Sequence, residues 1–317
     1  MKYRDFGKSG LKVSEIGFGG WGIGGDSHGN SYGHTDDKAS LAAIQRAIDL
    51  GCNFFDTADV YGWGHSETLI GQATKGKRER VIIATKVGAD FSGGVGLQNF
   101  SASYVRSALE KSLSRLGTDY VDVYQLHNPP LRLIGQEGTY EILKILKQEG
   151  KVRTWGLSIF DPTEGLVALK VSQPDSLQVS YNLFNPRVAE VLFKDAQEAG
   201  CAIIAREVLA NGFLTGKYDE NVQFEKGDFR AQWRRDFISA RVKAAQRLSF
   251  LAKTGKRSLA QASIRFVFSN ECVAVALTGV KTVEQADENF GACDVPPIKA
   301  SEDAEIKRLQ ANAFDLG

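Results

Sequence analysis

The 317-residue chain has no long apolar run, no surplus of either charge sign, and little cysteine, proline or methionine. Each shortage removes a class of function. A membrane-spanning helix needs ~18 or more consecutive apolar residues, and no stretch approaches that. The opening Met1–Gly10, MKYRDFGKSG, lacks the apolar core of a signal peptide, so a cytoplasmic protein is expected. The 39 basic and 38 acidic side chains leave a net charge of +1, whereas a nucleic-acid binder usually shows a basic excess or stripe. Cys52, Cys201, Cys272 and Cys293 are far apart and form no CxxC pair. That suits a reducing compartment better than a disulfide framework. His28, His34 and His65 lie in loops without HxH or HExxH spacing, so no metal centre is expected.

What is present is 43% hydrophobic residues and 33 glycines, enough apolar material for a large core. At ~150 residues per domain the length allows two domains, yet α/β barrels run past ~250 residues as one. No linker marks a boundary, so one domain over 1–317 is expected. Lys2–Phe6 and Leu11–Val13, joined by a Gly-Lys-Ser-Gly turn, read as a hairpin. Short apolar runs then alternate with helical periodicity. Strands are expected at Ser14–Phe18, Asn53–Asp56, Val81–Val87, Tyr120–Leu126, Arg153–Ser158, Leu177–Ser180, Ala202–Glu207 and Val273–Thr278. Helices are expected at Asp36–Leu50, Ser66–Thr74, Ser101–Leu116, Gly138–Glu149, from Asp161-Pro162, and at Val188–Ala199, Arg234–Lys253, Leu259–Phe268, Val283–Gly291 and Glu302–Asn312. Eight strand-then-helix units imply parallel pairing through right-handed crossovers. The expected fold is α/β: a (β/α)8 TIM barrel with an N-terminal β-hairpin and extra C-terminal helices. Its functional face is the C-terminal end of the strands.

Two glycine clusters mimic nucleotide motifs. Gly17–Gly22 fits G-x-G-x-x-G, but no helix opens at its third glycine, and no acidic residue ends a second strand ~20 positions on. Gly71–Arg78 approaches a P-loop, yet it closes a helix and ends in Arg where magnesium needs Ser or Thr. It reads as a helix stop followed by a solvated basic turn.

The strand ends carry a more coherent set. Asp56 closes the second barrel strand with Tyr61 five residues later, Lys86 closes the third, and His127 closes the fourth. Singly each has a plain reading: Asp as a turn residue, Tyr as packing, Lys as a solvated end, His as a strand stop. Together they suit proton delivery to an oxyanion as hydride reaches carbon. Tyrosine's free pKa of ~10 makes it a poor acid or base unless tuned. An ammonium such as Lys86 is expected to lower it, with Asp56 balancing the lysine. His127 would orient a substrate carbonyl.

With these residues the chain resembles the aldo-keto reductase superfamily, in its bacterial and potassium-channel-β-like branch. The matching stretches include Ile16–Gly19, Phe55–Ala58 with Tyr61-Gly62, Leu109–Tyr120, Gly150–Arg153, Gly156–Ser158, Gln178 with Tyr181-Asn182, Gly212–Tyr218, and Gln285 with Glu288-Asn289. The resemblance implies a barrel holding NADP(H), with NAD(H) as the alternative, across its mouth without a Rossmann fold. It implies the tetrad Asp56, Tyr61, Lys86 and His127, with Tyr61 as proton donor, and a small carbonyl or alcohol substrate lined by Trp21, Tyr61, Trp63 and His127. Contacts to the cofactor are implied for Gly20, Trp21, Asp56, Ser158, Gln178, Arg206, Glu207, Leu209, Gly212, Lys217, Gly279, Lys281, Gln285, Glu288 and Asn289. Lys281 is the implied partner of a 2′-phosphate. Thr282–Gln285 also reads as a capping box.

Two positions depart from the family pattern. Ile159 follows Ser158 where asparagine is usual, and Arg206 stands where many members stack an aromatic ring on the nicotinamide. A guanidinium also stacks on ring faces, and an Arg206–Glu207 surface pair is the plain alternative. A dehydrogenase working in the oxidative direction and a cofactor-binding redox-sensor subunit are the competing readings. Substrate choice falls to loops Trp21–His34, Tyr61–His65, Asp90–Phe100 and Asn211–Arg234.

Overall fold

The computed structural model describes residues 1–28, 31–91, 96–253 and 256–316. Loops Trp21–His34 and Asp90–Phe100 therefore fall partly outside the described residues. The chain opens with the expected hairpin: β1 (Tyr3–Asp5) pairs antiparallel with β2 (Lys12–Ser14), Arg4 opposite Val13. Phe6, Leu11 and Val13 behind it pack on Phe54, Ile82 and Val123 inside the barrel, so the hairpin plugs the end opposite the functional face.

Eight parallel strands follow: β3 (Ile16–Gly19), β4 (Phe54–Asp56), β5 (Ile82–Val87), then, past a two-residue ribbon of β6 (Ala89–Asp90) and β7 (Leu97–Gln98), β8 (Val121–His127), β9 (Val152–Ser158), β10 (Ser176–Ser180), β11 (Ala202–Arg206) and β12 (Val273–Gly279). They close in the order β3-β4-β5-β8-β9-β10-β11-β12, with β12 returning to β3. All six residues of β5 are buried, as both-face burial in a parallel sheet requires. That is why these strands read as apolar runs without alternation.

The helices are α1 (Asp37–Asp49), α2 (His65–Thr74), α3 (Ala102–Leu116), α4 (Leu131–Ile134), α5 (Glu141–Gln148), α6 (Pro162–Val171), α7 (Lys194–Glu198), α8 (Arg235–Arg247), α9 (Leu259–Phe268), α10 (Val283–Phe290) and α11 (Ala300–Ala311). In α3 the Ser101 hydroxyl accepts from the Tyr104 N–H, and Gly117 at φ +64 ends the helix. Its inner face, Val105, Ala108, Leu109, Leu113 and Leu116, is buried. Each such leucine contributes about 1.5–3 kcal/mol by leaving water. The helix expected from Asp161-Pro162 opens on a capping box of Asp161 and Glu164, with Pro162 preset for a first helical turn.

Several details differ from the sequence reading. The helix expected from Gly138 begins as a 3₁₀ turn, Glu137–Tyr140, and becomes α-helical only at Glu141. The Val188–Ala199 helix starts as a wide π turn, Ala189–Phe193. Gly20–Ile23 forms one 3₁₀ turn, too short to be a dinucleotide-binding helix. The basic turn after α2 is solvated at Lys75 and Gly76, but Arg78 turns inward. Arg78 donates to the carbonyls of Val81 and Tyr120, to Thr118 and to the buried Asp122, because that carboxylate lies inside the barrel wall and needs a cation.

Candidate active site

The β4 strand delivers Asp56 to the barrel mouth, and the next loop turns back so that Tyr61 stands beside it. Lys86, near the end of β5, is fully buried. Its ammonium donates to Asp56 Oδ1 at 2.5 Å, to the Thr57 carbonyl at 2.8 Å and to the Tyr61 hydroxyl at 3.2 Å. A buried ammonium is tolerated only with such acceptors. Asp56 Oδ2 in turn accepts from Gln178 Nε2 at 2.8 Å and Gln125 Nε2 at 3.2 Å. The His127 ring meets the Tyr61 ring edge-on, centroids 5.9 Å apart. The four residues expected at separate strand ends are thus one cluster.

Gln125 was not foreseen. The signal was available: it lies two residues before His127 on one strand and so shares its face.

The electrostatics follow from burial. Burial disfavours the Lys86 ammonium, but Asp56, Tyr61 and their hydrogen bonds outweigh it, and its pKa is raised. Tyr61 is raised above 10.0, because burial exceeds the lowering by Lys86. This corrects the expected net direction: the lysine acts as predicted, and desolvation wins. Burial, then Lys86 and Arg206, push His127 down to about 3, so at neutral pH it is an uncharged hydrogen-bonding imidazole.

The other expected residues lie on the strand ends, on the segments that follow them and on α10. Gly20 and Trp21 form the turn after β3, and Trp21 stacks on Tyr61 at 6.2 Å while touching Tyr32 and Phe229. Trp63 is sandwiched between His28 at 4.1 Å and Phe91 at 5.4 Å, so these three form one aromatic wall. Ser158, ending β9, donates to Asn128 Oδ1 at 3.1 Å. Ile159 beside it is buried. Gln178 points its amide nitrogen inward to Asp56. Arg206 pairs with Glu207 and donates to the Ile159 carbonyl at 3.1 Å. The pair exists, but at the mouth and not on the open surface, with side chains only 17% and 33% exposed.

Leu209 and Gly212 lie at the following 3₁₀ segment, where Gly212 adjoins the Arg230 guanidinium. The Lys217 ammonium rests over the Tyr218 ring. Past β12, the Lys281 ammonium donates to the Tyr32 carbonyl at 2.7 Å. Gln285 Oε1 accepts from the Lys281 N–H, and Thr282 accepts from the Gln285 N–H. Only half of the expected capping box forms, since Gln285 reaches one residue further back. Asn289 donates to the Gly279 carbonyl at 3.3 Å, and Glu288 is exposed.

The pattern of the aldo/keto reductase family matches residues 15–311. The chain belongs to that family. Aldo-keto reductase YhdN of Bacillus subtilis (strain 168) is 33% identical over 294 residues, covering 90% of this chain and 87% of its own. The holo form of the aldo-keto reductase AKR11C1 from Bacillus halodurans superposes with a TM-score of 0.82 at 31% identity, over 98% of this chain and 96% of its own. The glycerol dehydrogenase AKR11B4 from Gluconobacter oxydans gives 0.82 at 25% identity, over 97% and 94%. This aldo/keto reductase is thus an oxidoreductase of that family, on a closed barrel shared across its length with solved relatives. Among the described residues no helix is long and apolar enough to cross a membrane.

Proposed function

We propose that this aldo/keto reductase works in the cytoplasm, reducing aldehydes or ketones to alcohols with NADP(H), Tyr61 giving the proton. The observation that carries the reading is the Lys86 ammonium shared between the Tyr61 hydroxyl and the Asp56 carboxylate at the barrel mouth. The mouth fits an extended dinucleotide on three counts. A Cβ at Gly279 would meet nothing within 4 Å, Lys281 directly precedes the N-cap of α10, and the buried Arg206 Nε has no hydrogen-bond partner. Lys281, Gln285 and Asn289 would hold the adenosine end, with Ser158 and Arg206 beside the nicotinamide.

When bound, the reduced cofactor supplies hydride to the substrate carbon. The chain supplies the rest. The neutral His127 donates a hydrogen bond to the carbonyl oxygen and polarises it. Tyr61 Oη transfers its proton to that oxygen as negative charge develops. Lys86 stabilises the phenolate left behind, and Asp56 keeps Lys86 charged and aimed. Trp21, stacked on Tyr61, shields the reacting atoms from water.

The raised Tyr61 pKa supports the reductive direction, because a phenol that holds its proton is prepared as an acid. Oxidation of an alcohol, the reaction named in the glycerol dehydrogenase relative, would start from the phenolate. Tyr61→Phe removes the proton and leaves the ring packing. It is expected to lower kcat for carbonyl reduction by about 10²–10⁴-fold, the usual worth of a general acid. Full activity in the folded variant would end the proposal.

A further inference from the structure

The mouth of this barrel carries a cation that the proton-transfer chemistry does not use. Arg206 ends β11, yet its guanidinium reaches across the end of β10 to the carbonyl of Ile159, next to Ser158 on β9. Ser158 is in register with His127. Arg206 therefore lies over the half of the mouth that holds the reacting atoms, and its charge bears on both Tyr61 and His127. One of its nitrogens pairs with Glu207, another with the carbonyl, and the buried Nε is unpartnered. Glu207 in turn is anchored by the Ser180 hydroxyl at 2.9 Å. The pair is a fixed dipole at the mouth, and the guanidinium is the half that extends across the strand ends.

A ring that gives hydride to a carbon whose oxygen is held by Tyr61 and His127 lies within a few ångströms of both. That ring is uncharged when reduced and carries a positive charge when oxidised. A fixed cation nearby, in a site of low effective dielectric, raises the energy of the second state and leaves the first nearly untouched. We propose that Arg206 makes this site discriminate between the redox states of its nicotinamide cofactor, holding the reduced form more tightly than the oxidised one, with Glu207 attenuating the preference. The consequence is weak product inhibition and ready release of the spent cofactor. This inference rests on the proposed function and adds to it a residue that sets the cofactor cycle.

The test is a binding measurement without substrate. Dissociation constants for NADPH and NADP⁺ are measured by calorimetry on the wild type and on Arg206→Gln, Arg206→Lys and Glu207→Gln, each checked for a wild-type-like melting curve. The readout is the ratio of the oxidised to the reduced constant. Arg206→Gln is expected to lower it about five-fold, and Glu207→Gln to raise it by a similar factor, as charge interactions screened at a half-buried site allow. Arg206→Lys, which keeps the charge, should stay near the wild type. If both forms bind and the ratio is unchanged in Arg206→Gln and Glu207→Gln, this inference alone falls. Should Arg206→Gln fail to fold, a ratio that does not rise in Glu207→Gln overturns it equally. If the wild type binds neither form, the proposed function falls and takes the inference with it.

Discussion

Two residues show how burial, more than residue type, sets the chemistry at the barrel mouth. His127 looks in the sequence like a group that titrates near neutrality. Burial and the neighbouring cations Lys86 and Arg206 instead move its pKa to about 3, so it stays neutral throughout the physiological range. Tyr61 moves the other way, above 10.0. The reductive reaction needs the protonated phenol, present below that raised pKa and lost above it. The expected kcat profile is therefore flat from pH 5 to 9, as stopped-flow or steady-state assays with saturating carbonyl and NADPH will read. An inflection near 6.5 that disappears in His127→Asn would contradict it. Gln125 is a third residue whose effect is read at this scale. It gives Asp56 one of two amide donors, and Gln125→Leu leaves that carboxylate short of a hydrogen bond worth about 1.5–3 kcal/mol when the acceptor is charged. The expected result is a kcat reduced about ten-fold with KM little changed, since Gln125 acts through Asp56 and Lys86 and not on substrate.

At the scale of elements, the loop from β4 to α2 decides where Tyr61 stands. Gly62 has φ +60, and a Cβ there would lie 2.0 Å from the Gly24 carbonyl oxygen. Gly62→Ala must therefore push apart the loops after β3 and β4. Loss of most carbonyl-reductase activity is expected, with destabilisation of about 1–3 kcal/mol, the usual cost of a strained backbone position; urea unfolding measures the second. Beneath that loop, Glu67 of α2 is wholly buried and bonded to Arg115 of α3 at 2.6 Å and to Thr85 of β5 at 2.6 Å. Arg115→Met leaves the carboxylate without its cation. A loss of about 3 kcal/mol is expected, at the low end for a broken buried pair because Arg115 is partly exposed. These joints also mark the limit of what was legible in the sequence. Helical patterning located α1, α3 and α9, and the Asp161-Pro162 start located α6, because those signals are local. The four mouth residues were visible because each follows a strand. The role of Arg78 was missed because its partner Asp122 lies on another strand, and spacing says nothing about which buried carboxylate a surface-looking arginine will reach. The raised pKa of Tyr61 was missed for a related reason: the neighbouring lysine can be read from a motif, but the desolvation that outweighs it cannot.

Across the whole molecule, the mouth is assembled from segments at opposite ends of the chain. The Lys281 ammonium reaches 249 residues back to the Tyr32 carbonyl. Buried Arg230 joins Asp228, the Asn211 carbonyl and Tyr218, while the Phe229 N–H donates to the Ser31 carbonyl. The loops after β3, β11 and β12 are thereby tied into one rim, and no motif foretold that rim because its contacts are long-range and use carbonyls. Lys281 has two possible tasks in it, and they separate experimentally. Burial lowers its pKa from 10.5, and an ammonium that donates to carbonyls can exchange them for a phosphate. If its task is recognition of a 2′-phosphate, Lys281→Met removes a charge-assisted contact that only NADPH makes, and the NADPH dissociation constant rises about ten-fold or more while that of NADH stays within about two-fold. If its task is only to tie the Tyr32–His34 segment to the rim, the same variant loosens the groove for both cofactors alike. The expected outcome is the selective loss, since Lys281 directly precedes Thr282, the N-cap of α10, and an anion held at that helix start would be within reach of both the helix N–H groups and the lysine. Equal weakening of NADPH and NADH would assign Lys281 to the rim and leave NAD(H) as the cofactor to test next.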